Sequence, residues 1–197
     1  MREMIKMVVV LTVLSSFSGG LLAAIRNNTM ERIEYQQLKF VKGPAIRSIL
    51  EGSSNDPIVD RFKLPFQNAQ KDIFVGIFKN IPSAVAFEVY GKGFGGDLGV
   101  MIGVNTADDT ILGVGVTTHS ETPGVGSRAK SDPTFVNQFK GLPIIDSFKV
   151  KTDGGQVDAM SGATITCRGV SYAVTQAGKL YKELKPQITA NLKRFFK

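Results

Sequence analysis

Two short segments of the sequence have residue types and spacing suited to holding a phosphate group. The first, Asp158 to Thr164, reads Asp-Ala-Met-Ser-Gly-Ala-Thr and precedes a predicted long helix. A helix N-terminus presents free amide donors and a partial positive charge, so it attracts phosphate. Gly162 and Ala163 would let the phosphate approach the backbone. A plain helix start capped by Ser161 would explain the same residues equally well.

The second segment runs from His119 to Gly126 and reads His-Ser-Glu-Thr-Pro-Gly-Val-Gly. It follows a predicted strand and forms a polar, glycine-containing loop. His119 is the only histidine, and no other ligand has metal-binding spacing with it, so we expect no metal site. Pairing His119 with Ser120 or Ser161 as a hydrolase is disfavoured because no nucleophile elbow is present. We therefore expect no catalytic residue of that kind.

The elements that must position both segments are a sheet and a long helix. Strands are predicted at Asp72–Lys79, Ala84–Tyr90, Leu98–Val104 and Ile111–Thr117. The first two are joined by a proline-containing turn, and all the links are short. Short links between sequential strands favour an antiparallel sheet. With helices before and after these strands, the fold class is α+β, a mainly antiparallel sheet flanked by helices.

The remaining segments predict smaller elements. Before the sheet we expect a helix at Asn27–Val41, a short helix at Pro44–Gly52 and a loop at Asn55–Gln67. After it we expect a short helix from Ser131 to about Lys140 capped by Ser131 or Asp132, a strand at Ser147–Lys151 and a turn at Asp153–Gly155. The long helix beyond Thr164 should break at Pro186, and a short basic helix should follow.

A glycine-rich link, Gly91-x-Gly93-x-x-Gly96, formally matches the dinucleotide-binding pattern. It lies between two predicted antiparallel strands and no helix follows it, so a phosphate would meet no helix N-terminus there. We reject the dinucleotide interpretation. The glycines instead indicate close approach of the backbone to a ligand or to another strand.

The N-terminal region predicts a membrane anchor. Residues Met7–Ile25 carry no charge and are long enough to cross a bilayer as a helix. A cleaved signal peptide is the alternative, since Arg2 and Lys6 precede the run and Ala23-Ala24 weakly resembles a cleavage site. Arg2 and Lys6 also favour an N-terminus on the inside. We divide the chain into an anchor at 1–26, a helical connector at 27–70 and a domain at 71–197 that ends in a basic helix.

Charge and cysteine content restrict the partners. The formal net charge is +7, which suits an anionic membrane surface or an acidic neighbouring protein. Nucleic acid is disfavoured because aromatic-basic interleaving and zinc-ligand spacing are missing. Cys167 is the single cysteine, and we expect it to be a small buried helix residue with no redox role.

Both segments, in this order after an N-terminal span, resemble RnfG, the FMN-binding component of the Rnf complex, an ion-translocating ferredoxin:NAD oxidoreductase. They are also similar to NqrC, a component of the sodium-pumping NADH:quinone oxidoreductase. The family pattern Asp-x-x-(Ser/Thr)-Gly-Ala-(Thr/Ser) is complete from Asp158 to Thr164, and His-x-Glu-Thr-Pro-Gly recurs from His119 to Gly124. The longer insertions of the quinone-reductase relative are missing, which favours the Rnf component.

The resemblance implies an FMN bonded through its phosphate to Thr164 by a flavin transferase. Ser161, Gly162 and Ala163 would shape the phosphate pocket, and Asp158 would serve recognition by the transferase. Glu121 and Thr122 would lie near the flavin and tune its potential. Lys149 and Lys151 are weaker candidates for the flavin side, because both occupy alternate positions of a predicted strand.

The implied role is an electron carrier in a redox-driven translocase, in contact with other integral membrane subunits. The implied location is the bacterial inner membrane, with one span and the FMN domain on the periplasmic side. Three alternatives stay open: a subunit of the sodium-pumping enzyme, a stand-alone extracytoplasmic flavoprotein, or a structural subunit with an empty flavin fold. The uncharged span has no intramembrane carboxylate, so any ion pumping would involve other subunits.

Overall fold

A computed structural model describes residues 1–66 and 69–196. The chain divides into two compact units, Met1–Leu38 and Lys39–Lys197. The first unit is built on helix α1 (Arg2–Gln36), which has no buried residue. The helical stretch that begins there includes a window of 18 residues with a mean hydropathy of 2.2, long and apolar enough to cross a membrane. The predicted span and its predicted helical continuation therefore fall on one continuous helix.

The second unit begins with a π-helical segment (Gln37–Lys42) and the short helix α2 (Gly43–Ile49), which confirms the helix expected near Pro44. The loop expected at 55–67 is wrong for its second half, where strand β1 (Arg61–Phe66) forms. Pro65 lies inside this strand. The strand tolerates it because β1 is at the edge of the sheet and pairs with one neighbour only.

The four predicted strands are confirmed as β2 (Ala69–Phe78), β3 (Ile81–Lys92), β4 (Asp97–Asn105) and β5 (Thr110–Val116). The sheet has the order β1-β2-β3-β4-β5, and every pair is antiparallel. The turn between β2 and β3 differs from the expectation. It consists of Lys79 and Asn80, both with positive φ (51° and 63°) as a tight hairpin requires. Pro82 lies in β3, opposite Ile77, where the register shifts.

Three short helical elements follow the sheet: α3 (Arg128–Ser131), α4 (Pro133–Val136) and a 3-10 turn (Asn137–Phe139). Asp132 caps α4, since its side chain accepts a 3.0 Å hydrogen bond from the Thr134 amide. The strand expected at 147–151 is wrong. Only Val150 makes a bridge, to Val157, because a 3-10 turn and Gly154 (φ +78°) redirect the chain immediately afterwards.

Helix α5 (Thr164–Leu192) is the long helix that the sequence predicted. It does not break at Pro186. That residue is exposed, while Leu184 and Ile188 beside it are buried. Packing of this apolar face therefore outweighs the loss of one backbone hydrogen bond.

The core lies between the sheet and α5. The rings of Phe87 on β3 and Tyr181 on α5 stack with centroids 6.5 Å apart. The other face of the sheet is covered by α2, where Ile49 packs over Gly103 and Gly113.

The glycine-rich link serves this packing. A Cβ on Gly91 would collide with the carbonyl of Gly169 in α5, and a Cβ on Gly169 would collide with the carbonyl of Lys92. Two backbones therefore meet here with no side chain between them. This arrangement agrees with the close approach expected from the sequence, and with the rejection of a dinucleotide loop.

Candidate functional site

A tight turn leads into α5. The Ala163 amide donates to the Met160 carbonyl at 3.0 Å, and Gly162 adopts φ +79°. The residue that caps α5 is Ala163, and no side chain of that residue makes a capping hydrogen bond. The interpretation of Ser161 as the cap is therefore wrong: Ser161 lies in the turn, exposed. The first amides of α5 have no intrahelical partner and can meet an anion.

The two motif segments meet at this turn. Thr164, the first residue of α5, is half-buried. A Cβ on Gly162 would lie 3.7 Å from the side chain of Val125, which belongs to the loop after β5. The space above Gly162 is otherwise open, so a ligand can approach the backbone there. The fold therefore brings together two segments that are well separated in the sequence.

The backbone of Asp158 is held by a residue that sequence reasoning missed. The Gln138 side chain accepts from the Asp158 amide at 2.7 Å and donates to the Asp158 carbonyl at 3.1 Å. A glutamine in a short predicted helix carries no motif, so no sequence signal could have indicated this role.

The two lysines named from the sequence behave differently. The Lys151 ammonium lies 2.7 Å from an Asp158 carboxylate oxygen, and both side chains are mostly exposed. Lys151 therefore does reach the first motif segment. Lys149 is exposed, and its expected alternation with Lys151 on one strand face is lost because no strand forms there.

Glu121 is buried, with a relative exposure of 7%. One carboxylate oxygen accepts from the Gly95 amide at 2.9 Å, and the other accepts from the Thr166 hydroxyl at 2.6 Å. A Cβ on Gly93 or Gly126 would collide with the same carboxylate. The glycine-rich link and the loop after β5 thus form a pocket that fits this one side chain.

Two neighbours of Glu121 have local roles in the loop. His119 accepts a 3.3 Å hydrogen bond from the Glu121 amide through Nδ1. The carbonyl of Thr122 accepts from the Val125 and Ser127 amides, while the residue itself is exposed. Among residues 1–66 and 69–196, no group of His, Cys, Asp or Glu side chains could hold a metal ion.

Cys167 lies near the start of α5 and is fully buried. Its sulfur accepts from the Met160 amide at 3.3 Å, which links the turn to the helix. Burial raises the pKa of the Cys167 thiol, so the nucleophilic thiolate is disfavoured. The expected buried, non-redox role of this cysteine agrees with its surroundings.

Residues 93–179 match the FMN-binding domain family, a range that includes both motif segments and the glycine-rich link. RnfG of the ion-translocating oxidoreductase complex from Vibrio atlanticus is 34% identical over 85% of this chain and 85% of its own length. RnfG from Pseudomonas aeruginosa is 31% identical over 96% of this chain and 94% of its own length.

Other comparisons extend this pattern. RnfG from Cereibacter sphaeroides is 34% identical, and the match spans 65% of its length and 70% of this chain. Among solved structures, NqrC of Shewanella oneidensis has a TM-score of 0.52 and 26% identity, covering 71% of this chain and 72% of that one. From this agreement in sequence and in fold, the chain belongs to the RnfG family of the ion-translocating oxidoreductase complex.

Proposed function

We propose that the protein is the FMN-carrying, electron-transferring subunit of a membrane-bound, ion-translocating oxidoreductase. The observation that carries this proposal is the FMN-binding domain match over residues 93–179, which includes both motif segments that the fold brings together at Thr164. The relatives are named as subunits of an ion-translocating oxidoreductase complex. FMN exchanges one or two electrons, whereas the protein supplies its position and its electrostatic surroundings.

The attachment point in this proposal is Thr164, through a phosphoester to FMN. The residue begins α5, where first-turn amides lack a capping side chain. Gly162 has no side chain, and Ala163 has a small one, so a phosphate can reach these amides. Ser161 is exposed beside them and can donate its hydroxyl. Thr122 lies in the neighbouring loop and is our candidate for a contact with the flavin itself.

Formation of this bond needs an activated flavin nucleotide, such as a flavin dinucleotide with a pyrophosphate linkage. The Thr164 oxygen bonds to phosphorus and its proton leaves. The bond from phosphorus to the departing nucleotide breaks, and the electron pair leaves with that nucleotide. A flavin transferase would catalyse the exchange. Asp158, exposed and held in place by Gln138, is our proposed recognition point for this enzyme. Lys151, paired with Asp158, would add a positive charge beside the phosphate.

In the cell, we propose that the apolar helix anchors the protein in the bacterial inner membrane, with the FMN domain on the periplasmic side. The partners would be the integral membrane subunits of an Rnf-type complex, which couples electron transfer between ferredoxin and NAD to ion translocation. Similarity to NqrC in fold makes a role in a sodium-pumping NADH:quinone oxidoreductase the second candidate. Copurification with the subunits of one complex or of the other decides between them.

The attachment is tested with Thr164→Val and Thr164→Ser in protein expressed in membranes with its transferase. We expect in-gel flavin fluorescence to be lost in Thr164→Val and kept in Thr164→Ser, because only serine retains the hydroxyl. Thr189→Val, a change on the exposed side of the same helix, is the control that should keep its flavin. Peptide mapping should locate the FMN mass on the peptide with residue 164. Fluorescent Thr164→Val protein would reject the assignment.

A further inference from the structure

The buried carboxylate of Glu121 joins three separate segments of the chain. It accepts from Gly95, 26 residues before it, and from Thr166, 45 residues after it. These residues belong to the link between β3 and β4, the loop after β5 and the first turn of α5. A charged group that is 7% exposed is costly to bury unless its oxygens are hydrogen-bonded. Both oxygens of Glu121 have such a partner.

The surroundings leave the carboxylate little freedom to move. Any side chain at Gly93 or Gly126 would overlap it, so these two positions are glycine where the carboxylate needs the space. If Glu121 turned outward to a ligand, it would leave the Gly95 amide and the Thr166 hydroxyl without this acceptor. Unpaired polar groups in the interior are destabilising. The inward position is therefore the stable one.

The start of α5 depends on this contact. Ala163 offers no side-chain cap, whereas Glu121 holds the Thr166 hydroxyl and places a negative charge beside the positive end of the helix dipole. Thr166 lies in the same helical turn as Thr164, two residues further along. The direction in which Thr164 presents its hydroxyl is thus coupled to the Glu121–Thr166 hydrogen bond.

We infer that Glu121 is a positioning residue for flavin attachment: through Thr166 it orients the first turn of α5, and so the Thr164 hydroxyl, towards the phosphorus atom of the incoming flavin nucleotide. This inference rests on the proposed function and revises the role expected from the resemblance. Glu121 acts on the acceptor residue through the protein and does not contact the flavin. Small displacements of a reacting group, of about 1 Å, reduce rates by up to roughly a hundredfold.

The test compares Thr166→Val, which removes the hydroxyl at nearly constant volume, with Thr166→Ser, which keeps it. Full-length protein in detergent is incubated with the flavin transferase and a flavin dinucleotide, and covalent flavin is followed by in-gel fluorescence. We expect Thr166→Val to be slower by about tenfold to a hundredfold and Thr166→Ser to stay close to wild type. Glu121→Gln, which keeps an acceptor oxygen, should fall between them. Ser120→Ala, an exposed neighbour, is the control.

Two further readouts separate positioning from a general loss of structure. Hydrogen exchange should rise in the peptide 160–168 of Thr166→Val and stay unchanged in β3 and β4. The midpoint potential of the flavin that does attach should be unchanged in Glu121→Gln and Thr166→Val. Wild-type loading and exchange rates in Thr166→Val would overturn the inference, as would a shifted potential in Glu121→Gln with normal loading. If wild-type protein takes no flavin at Thr164, the proposed function fails, while the exchange measurement still tests the hydrogen bond.

Discussion

Lys42 and Glu88 form an ion pair with a separation of 2.6 Å on the sheet face that α5 does not cover. Glu88 follows Phe87 in β3, so its side chain points to the opposite face of the sheet. It is 8% exposed and also accepts hydrogen bonds from the hydroxyls of Thr117 and Tyr90. Lys42 is the last residue of the π-helical segment before α2. The pair therefore joins this segment to the centre of the sheet.

Removing the ammonium group should destabilise the second unit. Lys42→Met leaves the Glu88 carboxylate buried without its cation, which costs about 3–5 kcal/mol in a fully buried pair. The Lys42 side chain is 26% exposed, so we expect a smaller loss, roughly 2 kcal/mol, in urea denaturation. Lys39→Met, on an exposed lysine of the same segment, is the control. Equal effects of the two variants would show that the ion pair contributes nothing specific.

The same cluster predicts a loss of stability at alkaline pH. Burial first, and then the charge and hydrogen bond of Glu88, raise the pKa of Tyr90 to about 12. In the unfolded chain a tyrosine ionises near pH 10. The stabilising contribution is therefore complete below about pH 10 and is lost as the pH rises towards the folded pKa. Unfolding free energies of wild type and Tyr90→Phe should diverge over this interval, with the wild type falling more steeply. Parallel curves would contradict the assignment.

The crossing of β3 and α5 predicts a sensitive glycine. Gly169→Ala would push a methyl group into the Lys92 carbonyl, which is backbone and cannot rotate away. Overpacking of this kind costs about 1–3 kcal/mol, and α5 would shift away from the sheet. Thermal melting should show the loss, and flavin loading should decrease because Thr164 moves with the helix. Gly154→Ala would be a poor control because of its positive φ, so we choose Ala190→Gly, on the exposed side of α5, which changes helix propensity alone.

The exposed pair of Lys151 and Asp158 should affect flavin attachment and leave stability almost unchanged. Exposed ion pairs contribute less than about 1 kcal/mol, and both of these side chains are more than half exposed. Asp158→Asn should therefore melt like the wild type but accept flavin from the transferase more slowly. Lys151→Met tests whether the pairing orients Asp158. If Asp158→Asn loads at the wild-type rate, the proposed recognition role is lost.

Local patterns in the sequence were sufficient for most of the elements. Alternating apolar residues and short turns predicted β2 to β5 as an antiparallel sheet, and helical spacing predicted α5. The errors occurred where tertiary contacts outweighed a local preference. Pro65 is accepted in β1 because that strand lies at the edge of the sheet, and Pro186 is accepted in α5 because Leu184 and Ile188 pack beside it. Turn formation after Val150 removed the strand expected at 147–151.

The sequence by itself determined the chemistry of the site: a hydroxyl at Thr164 beside small residues at a helix start, and a carboxylate in a glycine-containing loop. It could not determine where that carboxylate points. Only the tertiary structure placed Glu121 inside, between Gly95 and Thr166, and placed Gln138 on the Asp158 backbone. The reason is physical: a hydrogen bond between residues 45 positions apart depends on how the sheet and helix pack, which no local spacing records.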